Sequence, residues 1–156
     1  MSGDRRWGIE YVIPRSYKVK YMLNHLFEIP IYNQAFDFIY SSYEELEDYI
    51  SQKESVTFDQ LGLSKDKGLI DGVTLTIGGT IYVWFSDTEA TLETAIHEIG
   101  HLVYELASQI GLDINDQEAI CYLQEYLFKT IMIWMNTQHI AMDHFNLQSI
   151  VGDDRQ

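Results

Sequence analysis

Apolar positions recur along the chain with two periods, and each change of period marks an element. Residues 17–40 are rich in Tyr, Ile and Phe but contain Pro30, which would interrupt a central strand. One or two strands with an edge or bend at the proline are expected there, and the alternation over residues 35–40 makes that segment one of them. Ser42 and Glu45 have capping-box spacing, and Tyr43, Leu46 and Ile50 then follow at i, i+3 and i+7, which predicts a short amphipathic helix. Residues 51–71 are polar, contain Gly62 and Gly68, and read as a connection with room for a helical turn. Two β-branched and aromatic runs, residues 73–77 and 80–85, flank Gly78-Gly79 and predict a hairpin.

From Ser86 the period becomes helical. Ser86 and Glu89 again have capping-box spacing, and Leu92, Ile96, Ile99, Val103, Leu106 and Ile110 recur at helical intervals until Gly111. A second long helix is expected from about residue 116 to about residue 135, with Ile120, Leu123, Leu127 and Ile131 on one face. Residues 137–156 read as a shorter helix ending in a frayed polar tail. The order of elements defines an α+β fold.

Length and composition narrow the class. The 156 residues suit one domain, residues 1–156, with 1–16 and 150–156 as flexible ends; no repeat or low-complexity linker divides them. A hydrophobic fraction of 46% supplies enough apolar surface to offset the entropy of ordering the chain. The formal charge of −14 repels phosphate backbones and anionic lipid, so nucleic acid and membrane are excluded as partners, whereas a cationic peptide is compatible with it. The single cysteine, Cys121, cannot form an internal disulfide and sits in the apolar pattern Ile120, Cys121, Leu123, where burial as a small hydrophobe is expected. No apolar run of signal-peptide length follows the two N-terminal arginines, and no segment approaches the roughly 20 apolar residues of a membrane span. A cytoplasmic location follows as an expectation.

The candidate chemistry lies inside the long helix. Thr94-Ala-Ile-His-Glu-Ile-Gly-His-Leu-Val103 contains His-Glu-x-x-His. A spacing of four is slightly more than one helical turn, so His97 and His101 project from one face and can bind one Zn2+ ion, with Glu98 beside them. Zinc lowers the pKa of a water molecule, and the Glu98 carboxylate can take its proton and pass it to a leaving amine. A catalytic site needs a third protein ligand. The extended metzincin pattern would require glycine at position 104 and histidine at 107, but the chain has Tyr104 and Ala107. Glu118 and Glu125 on the following helix are the best remaining candidates, with Asp116 a further option. In a strictly antiparallel helix pair His101 lies roughly 14 Å before the turn and Glu118 only about 5 Å beyond it, which favours Glu125; a steep crossing favours Glu118. Asn115 and Glu118 also have capping-box spacing, which would give Glu118 a purely structural role.

Two resemblances bear on the choice. Asn115-Asp-Gln-Glu-Ala-Ile120, with Glu118 seventeen residues after His101, resembles the Glu-Ala segment that supplies the third ligand in thermolysin-type gluzincins, which implies Glu118. More of the chain, about residues 27–127, is similar to small metallopeptidases encoded by bacteriophages and prophages. The similarity is carried by Ile81-Tyr-Val-Trp-Phe85, by Leu92 to Val103, by Glu118-Ala-Ile-Cys-Tyr-Leu-Gln-Glu-Tyr-Leu127, and by the earlier Ile29-Pro-Ile-Tyr and Tyr43-Glu-Glu-Leu-Glu-Asp-Tyr-Ile pieces. Glu125 departs from the small residue expected in that family's Tyr-Leu-x-x-Tyr-Leu run. The resemblance implies a phage origin and a minimal zincin-like domain, a short mixed sheet or hairpin packed on the His-Glu-x-x-His helix and a ligand-bearing helix.

The expected function is hydrolysis of a peptide bond in a peptide or protein substrate, with His97, His101 and Glu118 as metal ligands and Glu98 as base. Tyr122, one turn after Glu118, is a candidate for stabilising the tetrahedral oxyanion, and Tyr104 a weaker one. The hairpin's second run around Trp84 could pair with an extended substrate by strand addition, or simply pack in the core. His139 and His144, with Asp143, do not make a single-face chelate and read as surface residues, and His25 is isolated. The competing class is a zinc-stabilised phage structural or host-interaction protein that keeps the fold without turnover.

Overall fold

Residues 36–39 and 81–85 are buried at every position, the mark of strands covered on both faces. In the computed structural model, which describes residues 22–64 and 68–140, they belong to the two inner strands of a four-stranded mixed sheet. Strand β1 (Leu23–Ile29) turns through a single 3-10 turn at Pro30–Tyr32 into β2 (Gln34–Ser41), so the proline sits at the bend between two strands. Helix α1 (Tyr43–Glu54) follows, then β3 (Gly72–Ile77), β4 (Thr80–Ser86), α2 (Leu92–Ile110) and α3 (Gln117–Thr137). The sheet order is β1-β2-β4-β3; β1/β2 and β3/β4 are antiparallel, and β2/β4 is parallel. A parallel pair needs a long crossover, and α1 with the connection after it supplies part of one.

The two faces of the sheet carry separate apolar clusters. Phe36, Phe38, Ile81, Val83 and Phe85 meet Ile99, Leu102, Val103 and Leu106 of α2 and Leu123, Leu127, Ile131 and Met135 of α3. On the other face Ile39, Tyr82 and Trp84 meet Tyr43, Leu46 and Ile50 of α1, with Phe58 from the connection. Trp84 donates its indole N–H to the Ser41 carbonyl at 3.2 Å. Gly78 and Gly79 both take positive φ, as a two-residue hairpin turn requires.

The helix boundaries correct the sequence reading in two places. Ser86 does not cap α2: it ends β4, and its Oγ accepts from the backbone of Thr88 and Glu89 in a turn. The helix begins five residues later in a capping box between Thr91 and Thr94, and ends as expected at Gly111 in the left-handed conformation. Likewise Asp116, not Asn115, caps α3 by accepting from Ala119 N at 3.1 Å. Cys121 is exposed, against the expected burial, and Ile96 is 48% exposed. His25 stacks on Trp134 and touches Phe27 edge-on. The expected final helix and tail fall largely on residues 141–156, and the expected N-terminal flexibility on 1–16; both lie outside the described residues, as do Asp143 and His144. His139 is exposed. Among the described residues no helix is long and apolar enough to cross a membrane.

Candidate metal centre

Helix α2 buries one side against the sheet and α3, and leaves His97 and His101 on its open side. The two Nε2 atoms approach to 3.1 Å, with the His97 side chain 69% exposed. Two imidazole nitrogens bound at about 2.0–2.1 Å to one tetrahedral zinc stand roughly 3.3 Å apart, so the pair fits a shared ion with little movement.

Glu98 lies on the buried side of the same helix. The residue is 6% exposed, packed between α2 and β3, with Oε1 4.0 Å from His97 Nε2. Its Oε2 accepts a hydrogen bond of 2.7 Å from the Thr74 hydroxyl. Burial pushes the Glu98 carboxyl above its ordinary pKa; the Thr74 bond and the neighbouring His97 and His101 oppose that rise, and Asp71 adds to it. Gly72 makes room for this packing: a Cβ there would stand 2.6 Å from Thr94 Cγ2, 2.9 Å from Glu98 Cγ and 3.1 Å from the Trp84 carbonyl oxygen. Thr74 and Gly72 escaped the sequence reading. Their signal was the alternation in β3, where threonines at 74 and 76 lie opposite Val73, Leu75 and Ile77 and so mark a polar face.

The remaining expected ligands are not gathered with the histidines. Among the described residues no group of three or more His, Cys, Asp and Glu side chains is placed to hold a metal ion. Glu118 is exposed in the first turn of α3, and the Asp116 carboxylate is engaged as the helix cap. Glu125 pairs with Lys129 and lines a groove of about 310 Å³ with Ile96, Ile99, Cys121, Gln124 and Phe128. Tyr122 is 67% exposed and Tyr104 58% exposed.

The strand beside the site is β3, not β4. Both edges of β4 are paired, so it cannot accept a further strand. Ser86 N donates to Asp71 O at 2.8 Å, which fixes the alternation of the β3–β4 ladder. Residues 71, 73, 75 and 77 therefore face β4 with their main-chain groups, and Gly72, Thr74 and Thr76 face the other edge, which is open among the described residues. Comparison with protein-family models, with curated proteins and with solved structures finds no match to the chain.

Proposed function

We propose that the chain is a zinc-dependent metallopeptidase with a minimal zincin-like fold, acting on a peptide or protein. The observation that carries this reading is the convergence of the two imidazoles, Nε2 atoms 3.1 Å apart, beside a buried carboxylate whose Oε1 lies 4.0 Å from one of them. His97 and His101 would hold the ion; Glu118, exposed in the first turn of α3 and not gathered with them, would have to move toward the pair to serve as the third ligand. Bound zinc supplies Lewis acidity and lowers the pKa of water. Glu98 would take a proton from the attacking water and deliver it to the leaving amine. An extended substrate pairs with the open edge of β3, which Thr74 and Glu98 connect to the histidines.

Metal analysis and one isosteric variant test this. Protein grown without chelator should carry about one equivalent of zinc, and Glu98→Gln should keep it while losing at least about 100-fold in hydrolysis. A suitable probe is fluorescein-labelled, reduced and alkylated lysozyme, an unfolded basic chain that the −14 charge does not repel. Equal activity in the Glu98→Gln protein would end the mechanism, and absence of metal would end the zinc reading altogether. Metal without hydrolysis would leave the zinc-stabilised structural protein. In the same metal titration Glu118→Ala should weaken binding much more than Glu125→Ala; the reverse order would make Glu125 the ligand.

A further inference from the structure

A glutamate side chain ends in a torsion with broad preferences, so burial alone does not set the plane of the carboxylate, and with it the direction in which its oxygens point. In this chain β3 decides it. Thr74 lies opposite Val83 in the ladder, with its side chain directed onto α2. Its Oγ1 stands 2.7 Å from Glu98 Oε2 and 3.1 Å from the Glu98 carbonyl oxygen. A hydroxyl has one proton to give, and the shorter, charge-assisted contact takes it. Among the described residues this is the only hydrogen bond the Glu98 carboxylate receives. Two residues earlier, Gly72 lies against the Glu98 stem closely enough that an added Cβ would stand 2.9 Å from Glu98 Cγ. One strand thus holds both the stem and one oxygen of the carboxylate, and the other oxygen is left toward His97.

We propose that Thr74 is the positioning residue for Glu98: its hydroxyl ties down Oε2 so that Oε1 is presented to the histidine pair. The proposal rests on the metallopeptidase reading for its kinetic consequence, but not for the geometry. A threonine that merely satisfied a buried carboxylate would affect folding stability and leave turnover of the folded protein alone. A positioning threonine acts on kcat, because misdirected Oε1 is out of reach of the proton it must take.

Thr74→Val keeps the branched shape and removes the hydroxyl, and Thr74→Ser keeps the hydroxyl. With unfolded lysozyme as substrate, Thr74→Val should lower kcat by about 10- to 100-fold, the worth of one hydrogen bond to a charged group, with KM within about twofold and zinc content unchanged. Thr74→Ser should recover most of the loss. A second readout needs no turnover: with 13C-labelled glutamate, the Glu98 carboxyl resonance, identified by its disappearance in Glu98→Gln, should move in Thr74→Val and stay near its place in Thr74→Ser. Wild-type kcat in Thr74→Val, failure of serine to rescue, or an unmoved resonance would overturn the proposal. If the wild-type chain takes up no zinc or cleaves nothing, the metallopeptidase reading fails by itself, and the resonance decides whether Thr74 holds the carboxylate.

Discussion

Asp37 shows how one buried charge ties a helix to the sheet. It is 1% exposed on β2, and it accepts hydrogen bonds from Tyr49 and from Lys53 of α1 and from Asn24 of β1. Burial alone would depress the Lys53 ammonium, but the bonds to Asp37 and Tyr49 and the Asp37 charge outweigh it and hold its pKa above the ordinary lysine value. Burial, followed by the bond to Asp37, raises the Tyr49 phenol. Asp37→Asn keeps the shape and removes the charge, and should cost about 1–3 kcal/mol in urea unfolding, since several donors lose an ionised acceptor. Lys53→Met should cost less, under about 1 kcal/mol, because that side chain is 42% exposed and water screens it. The sign of the pH dependence follows. A raised lysine pKa contributes stability that is fully present below the unfolded value of about 10.4 and is lost as pH rises through the folded value, so the Lys53 contribution should be flat across neutral pH.

At the scale of elements, two glycines of the site should respond to alanine with opposite signs. Gly72 on β3 has no room, with Thr94 Cγ2 2.6 Å from the added carbon, so Gly72→Ala should destabilise by about 1–3 kcal/mol. Gly100, inside α2 between Ile99 and His101, meets nothing within 4 Å, and alanine favours helix, so Gly100→Ala should gain up to about 1 kcal/mol. Thermal unfolding of the two variants checks both signs. The contrast also shows what the sequence could convey. The hairpin, the α1 capping box, the Gly111 stop and the histidine pair were all legible, because each depends on neighbours one turn or one strand away. The partnership of β2 with β4 was not, because it is made after a long crossover, and neither were the roles of Gly72 and Thr74, because they depend on the packing of α2 against β3. Ser86 misled for a related reason: the spacing to Glu89 is right for a cap, but a turn uses it and the box at Thr91 starts the helix. Cys121 followed an apolar stretch of sequence onto a side of α3 that the core does not reach.

Across the described residues, the strand order places the open edge of β3 at the side of the sheet that carries Glu98. Under the proposed function, the inner position of β4 leaves the hairpin's first run, β3, as the strand available for substrate pairing. Proline separates the two uses of that strand, since it removes an N–H that faces either the ladder or the edge. Thr76 is exposed and faces the edge, so Thr76→Pro leaves the bonds to β4 in place and should fold, losing only the surface bond from Thr76 to Glu105. Leu75 faces β4, so Leu75→Pro deletes a ladder bond and should destabilise markedly by urea unfolding. If a substrate pairs along this edge, Thr76→Pro should raise KM for unfolded lysozyme about 5- to 10-fold, the worth of roughly one main-chain hydrogen bond plus some crowding, with a smaller effect on kcat. An unchanged KM in a folded, zinc-loaded Thr76→Pro protein would show that the peptide approaches the histidines without β3. Direct pairing would make the same strand responsible for aligning the substrate through its main chain and Glu98 through Thr74, so the KM effect of Thr76→Pro and the kcat effect of Thr74→Val should be separable in one set of kinetic measurements.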